Sequence, residues 1–342
     1  MDPIPWKVSP VIDVHSHYRG QEPIPHYLDN VNMANHTRVV ILVWLGEPLE
    51  TGERLFQSGG EGASILGFAR KFKTEYPDRF YIFGGLSHDP RQVAKGDGRY
   101  LAPQVAKLLA GGIDGLKMME GAPGPKKLLP HPLDHEYYRP FWAAAEEQRL
   151  PITIHLANPV DCWWRDDASS REQYRDAEPQ EEYFRQAEAV LAAHPKLRIT
   201  FAHFMFMGPN PERLGRLFSL YPEMRVDLAM GQEYMYYLSD DPVAARKFFV
   251  QWQDRILYGT DVSDANSVAL ARAKSEQVRL FLEVDGAFPS PYALALGKPE
   301  MAGSNGRVEL RGLNLPEEVL RKILGGNAET WLGPVPKPLP IS

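Results

Sequence analysis

Two histidines one residue apart, His15 and His17, stand at the end of a short apolar run, Val11-Ile12-Asp13-Val14. Side chains alternate between the faces of a β-strand, so residues two apart share a face and these imidazoles lie side by side. Two neutral imidazoles in that arrangement can supply half of a four-coordinate metal site. An H-x-H pair alone says little, so the weight falls on further donors that a fold could bring to it. Lys117, His155, His203 and Asp261 each stand at the end of another short apolar run. Imidazole nitrogens and a carboxylate oxygen suit a divalent cation, a spare imidazole can move protons, and an ammonium can hold a substrate carboxylate as a point charge.

The elements that must position these groups can be read from the same runs. Apolar, β-branched stretches recur at 11–17, 38–44, 80–87, 113–119, 151–157, 198–204, 225–230 and 255–261. Amphipathic segments lie between them at 61–76, 100–110, 136–149, 181–194, 211–221 and 242–252. Strands alternating with helices predict βα units and a parallel sheet. Eight of them, several continuously apolar, predict an α/β fold of the (β/α)8 TIM-barrel class. An open doubly wound sheet is the competing architecture, but no glycine-rich phosphate fingerprint follows the first strand. In a closed barrel the C-terminal ends of all the strands face one mouth, so the histidines, Lys117 and Asp261 are expected to converge there.

One domain is expected over residues 1–342, with inserts at about 158–180 and 285–314 and a proline-rich extended tail at 333–342. The 285–314 insert, rich in Gly, Pro and Ser, is expected to wrap the barrel exterior. A last helix is signalled by Asn314 as cap, by Glu317 three residues on, and by Gly325-Gly326 as a stop.

With 342 residues, 44% of them hydrophobic and 24% charged, the chain can bury a large core without covalent staples. Its single cysteine, Cys162, excludes an internal disulfide and fits a reducing, cytoplasmic setting. A net charge of −6 without a basic run argues against nucleic acid or an anionic membrane as partner. No apolar stretch is long enough to span a bilayer, and the first residues carry no signal-peptide pattern. A small-molecule substrate is the expected partner, and the 285–314 insert and the tail are candidate contacts for a homodimer.

The segments Val11-Ile12-Asp13-Val14-His15-Ser16-His17, Gly115-Leu116-Lys117, Ile154-His155, Ala202-His203 and Leu257-Tyr258-Gly259-Thr260-Asp261, in this order, resemble the amidohydrolase superfamily. The likeness is to its second family, the group that includes aminocarboxymuconate-semialdehyde decarboxylase. The stretch from Leu315 to Ala328 is similar to that family's closing helix. By this resemblance His15, His17, His155 and Asp261 bind one divalent metal, most often zinc, with manganese and iron as the other candidates. His203 matches the family's acid–base histidine, and Asp261 serves both as ligand and as proton acceptor. A carboxylated lysine bridges two metals in binuclear relatives; here a single metal is expected, with Lys117 beside the substrate.

Two chemistries follow from the resemblance. One is hydrolysis of a small carboxylated or cyclic ester or amide by metal-activated water; the alternative is metal-dependent, non-oxidative decarboxylation of an aromatic or unsaturated acid. Arg19, Trp44 and Arg165 join Lys117 as candidate substrate contacts, since each follows a strand end. His88, Asn158, Trp163, Trp164 and Tyr234 occupy similar positions, with packing an equal expectation for each. His26, His36 and His194 are read as structural.

Overall fold

A computed structural model describes residues 6, 8–43, 65–164, 174–230, 233–297 and 306–338. Trp44 and Arg165, two of the expected substrate contacts, lie outside the described residues. The strands are β1 (Ile12–His17), β2 (Arg38–Leu42), β3 (Phe80–Gly84), β4 (Gly115–Gly121), β5 (Ile152–Leu156), β6 (Ile199–Phe201), β7 (Met224–Asp227), β8 (Ile256–Leu257) and β9 (Val262–Ser263). All eight expected runs form strands, several ending earlier than the apolar pattern does. The eighth is split at Asp261, whose backbone is left-handed with φ 57°. Its first half, β8, pairs in parallel with β7, and its second half, β9, pairs in parallel with β1. The last strand thus returns to the first, which is the closure of a (β/α)8 barrel, and the fold class is the TIM barrel.

The chain forms two compact units. The first comprises Met1–Ile41, Ala202–Leu220 and Arg225–Pro334. Here β1 lies between β2 and β9, and all six of its residues are buried. Its register against β2 shifts between Asp13 and Ser16. A bulge of this kind re-aims side chains, and it falls on the segment that carries His15. Helix Pro211–Leu220 buries Leu214, Leu217 and Phe218, the three- and four-residue spacing of an apolar stripe. Helix Pro242–Gln251 starts with proline behind Asp241, whose side chain accepts from the Ala244 N–H.

Three features of this unit differ from the sequence expectation. The 16-residue helix Val268–Glu283 was not evident, because its buried face mixes Lys274, Ser275 and Gln277 with Val278, Phe281 and Leu282. The 285–314 insert, for which the sequence signalled no element, carries β10 (Asp285–Pro289) and β11 (Glu309–Leu313), which form an antiparallel pair. Gly325-Gly326 does not stop the last helix, and Pro316, not Asn314, stands at its N-cap. A π-helical turn, Lys322–Gly326, carries the chain on into Asn327–Leu332, which ends at Gly333 with φ 95°. Glycine is needed at 325 for close approach, since a Cβ there would stand 2.2 Å from the Pro10 carbonyl oxygen. The Ile323 carbonyl in that turn accepts from Tyr258 N at 3.0 Å, tying the turn to β8.

The second unit comprises Leu42–Phe201, Tyr221–Met224 and Val335–Ser342. Its strands run β3-β4-β5-β6, all parallel. Lys117 pairs with Thr153, so it sits within β4, two residues short of the level of His155. The position expected for it at the strand end is therefore corrected: β4 extends to Gly121. Below these strands Lys73 makes a 2.7 Å ion pair with Asp114, both almost wholly buried. The Lys73 ammonium also donates to the carbonyls of Gly112 and Lys337, and Asp114 accepts from Lys337 N, so the pair holds the start of the tail.

Removing one partner of a buried ion pair strands the other charge away from water. Lys73→Ala is expected to lower stability by about 3–5 kcal/mol. Chemical denaturation of the metal-free protein measures this, and a loss below about 1 kcal/mol would contradict it.

Candidate metal centre

The centre starts from β1. His15 and His17 are both buried, with ring centroids 5.2 Å apart and planes at 75°. The left-handed turn at Asp261 brings its carboxylate to them: Oδ1 lies 3.2 Å from His17 Nε2 and 3.8 Å from His15 Nε2. Ligand atoms of these three residues all fall within 4.8 Å of one another. Two imidazole nitrogens and a carboxylate oxygen at that spacing fit a divalent cation of borderline softness. Burial opposes ionisation of Asp261, but the Lys274 ammonium and the two histidines outweigh it and hold the carboxyl well below its ordinary range.

The other ring nitrogen of His15 is fixed by a residue that sequence reasoning missed. His15 Nδ1 donates to Asp227 Oδ2 at 2.8 Å. A carboxylate can only accept, so the proton sits on Nδ1 and the Nε2 lone pair faces Asp261. Asp227 Oδ1 accepts from the backbone N–H groups of His203, at 2.9 Å, and Ala229, at 3.0 Å. The available signal was Asp227 itself, an acid in the otherwise apolar seventh run beyond its first residue, Arg225.

His203 follows β6 and begins four consecutive left-handed residues, His203 to Phe206, with φ between 51° and 56°. This turn sets its ring 4.9 Å from that of His15 and nearly parallel to Phe206. His203 Nδ1 donates to the Ala229 carbonyl at 3.3 Å, which leaves Nε2 as the nitrogen able to take a proton.

Two further carboxylates hold the surroundings. Asp13 accepts from the N–H groups of His15 and Thr260 and from the Thr260 hydroxyl, bracing both sides of the centre. Burial pushes its carboxyl up to about 7, with the Thr260 and His15 hydrogen bonds pulling the other way. Asp264 accepts from the N–H groups of Arg19, Gln21 and Glu22 and pins the loop after His17. Arg19 itself is exposed.

In the second unit, His155 lies one residue before the end of β5, with Nε2 3.0 Å from Asn158 Oδ1. Asn158 in turn donates to the Tyr174 hydroxyl. Lys117 is buried within β4. His88 bonds Tyr137 and Glu120, each at 2.8 Å, and Trp163 donates to the Glu178 carbonyl. In the first unit, Tyr234 donates to the Leu228 carbonyl and stacks on Phe204. These three are engaged in packing and internal hydrogen bonds. His26, His36 and His194 each meet a partner within the protein: the Asn266 carbonyl, the Tyr258 hydroxyl and Glu146. No helix among the described residues is long and apolar enough to cross a membrane.

Residues 75–333 match the model of a family described as Amidohydrolase, a stretch that includes His155, His203, Asp227 and Asp261 and begins beyond His15 and His17. No curated protein matches the chain. Among solved structures the chain is similar to an uncharacterised TIM-barrel protein of Bordetella bronchiseptica, with TM-score 0.53 and 15% identity over 95% of this chain and 98% of that one. It is also similar to a dihydroxybenzoic acid decarboxylase of Polaromonas sp. with bound manganese and 2-nitroresorcinol, with TM-score 0.55 and 13% identity over 97% of each chain. A third is 4-oxalomesaconate hydratase of Rhodopseudomonas palustris, with TM-score 0.51 and 13% identity over 95% and 96%. At such identities the likeness establishes the barrel, while the match to the family model covers more than half of the sequence: this chain belongs to the amidohydrolase family, in its second group.

Proposed function

We propose that this protein is a metal-dependent hydrolase that opens a small carboxylated or cyclic ester or amide. The observation that carries the reading is the convergence of His15, His17 and Asp261 beside the His203 ring. A divalent cation held by these three, zinc first and manganese or iron as alternatives, would act as a Lewis acid toward the substrate carbonyl and the attacking water. His155 is the fourth donor of this reading, supported by the resemblance of Ile154-His155 to the family pattern.

The protein's own groups then manage the protons. His203 Nε2 takes a proton from water as its oxygen adds to the carbonyl carbon. The same nitrogen returns the proton to the leaving oxygen or nitrogen as the carbon–heteroatom bond breaks. Asp261 is the second acceptor, through the oxygen not used as a donor. Lys117 and Arg19 are the cations assigned to a substrate carboxylate, with Trp44 and Arg165 assigned to the pocket wall by their places after strands two and five.

Decarboxylation of an aromatic or unsaturated acid is the second reading, favoured by the manganese-bearing decarboxylase among the structures of similar fold. In that case His203 delivers its proton to the carbon that loses carbon dioxide. Both reactions draw on one set of residues, so only products separate them.

Chelation is expected to abolish turnover, and one equivalent of divalent metal to restore it. Asp261→Asn should lower kcat by at least about a hundredfold with an unchanged circular dichroism spectrum. Full activity in that variant, or in metal-free protein, would remove the centre from the reaction. For the substrate, a panel of lactones, cyclic amides and hydroxybenzoates is incubated with the metal-loaded enzyme. Ring opening without gas is the expected result, and carbon dioxide release from a hydroxybenzoate would replace hydrolysis with decarboxylation.

A further inference from the structure

Lys274 belongs to helix Val268–Glu283 and is 5% exposed, an uncommon place for an ammonium. Its nitrogen donates to the backbone carbonyl of Asp261 and stands 3.6 Å from Asp261 Oδ2. On its other side the Tyr292 ring centre is 5.9 Å away. Asp261 N–H donates to the His15 carbonyl at 2.8 Å. The peptide groups flanking this residue are therefore held on both sides, by His15 through its N–H and by Lys274 through its C=O.

That grip matters because Asp261 is a non-glycine residue in the left-handed region, a conformation that persists only where surrounding contacts over-determine it. The carboxylate is also divided between two neighbours. Oδ1 faces His17 and His15, whereas Oδ2 faces Lys274. Rotation about the carboxylate bond, or relaxation of φ, would carry Oδ1 away from the imidazole nitrogens.

We infer that Lys274 is a positioning residue: it locks the left-handed backbone and the side-chain rotation of Asp261 so that one carboxylate oxygen is presented to a divalent cation between His15 and His17. The inference rests on the metal reading of the centre. Two effects of this lysine oppose each other, which makes the idea testable by sign. Its charge repels an incoming cation, so charge alone predicts tighter metal binding when it is removed. Its grip on Asp261 predicts weaker binding.

Cobalt(II) is titrated into the metal-free full-length protein, wild type and Lys274→Met, with affinity read by calorimetry and ligand geometry by visible absorption. Wild type is expected to bind one equivalent. Lys274→Met is expected to bind about tenfold or more weakly, with altered visible bands, while its far-UV circular dichroism is unchanged. Equal or tighter binding, or an unchanged cobalt spectrum, in the folded variant overturns the inference and leaves the metal reading standing. Absence of cobalt binding by wild type overturns both. Lys274→Gln keeps a donor to the Asp261 carbonyl without the charge and is the second variant, needed if Lys274→Met does not fold. Because it retains the grip and drops the repulsion, it is expected to bind cobalt at least as tightly as wild type with unchanged visible bands, and binding about tenfold weaker there also overturns the inference.

Discussion

Asp227 is fully buried, so its charge relies on groups of the protein that donate to it. Among those groups are the His15 ring and the backbone N–H groups of His203 and Ala229. One carboxylate thereby orients a candidate ligand and anchors the chain that carries the candidate acid–base histidine. Through Asp227 the strand β7 fixes the relation between residues from β1 and from the turn after β6. Charge-assisted hydrogen bonds of this kind are stronger than neutral ones, and their loss inside a protein leaves unpaired groups on both sides.

The backbone of the same region stores strain. His203 to Phe206 and Asp261 all have positive φ without being glycine, at roughly 1–2 kcal/mol per residue. Burial decides why the turn after β6 nevertheless holds. Phe204 and Met205 are fully buried and Phe206 nearly so, each side chain gaining about 1.5–3 kcal/mol, with Phe204 stacked between Tyr234 and Phe249. The apolar gain is of the same size as the strain, so the left-handed turn depends on those three side chains being large. Asp261 has no such anchor of its own, and its conformation depends on hydrogen bonds from neighbours.

Much of this was legible in the sequence. The eight strands and the succession of β and α elements follow from β-branched runs and amphipathic spacing, and His15, His17, His203 and Asp261 do come together. What the sequence did not disclose has physical reasons. Strand ends fall at left-handed residues, and no composition rule marks His203 or Asp261 as leaving the β region. Lys117 is placed inside its strand because Glu120 and Gly121 continue β4 past the apolar run. Gly325 looks like a helix stop, yet it serves a close approach to Pro10 that exists only in three dimensions. Asp227 meets His15, 212 residues away, and Lys274 meets Asp261, 13 residues away, only because the chain folds back between them, so a local pattern carries no trace of either partner.

The two candidate roles of histidine are separated by what each Nδ1 meets. His15 gives its Nδ1 proton to a carboxylate, which supports electron density on the ring and commits Nε2 to donating a lone pair. His203 gives its Nδ1 proton to a neutral carbonyl, a weaker partner that leaves the ring less biased toward one task. A ligand must keep its lone pair aimed at one point, whereas an acid–base group must gain and release a proton within a turnover. A buried carboxylate on Nδ1 raises the basicity of the other nitrogen more than a neutral carbonyl does, so the two rings differ in the strength of the lone pair they present. In the proposed reading the chemistry therefore divides between β1 and the turn after β6, with His15 assigned to coordination and His203 to proton transfer.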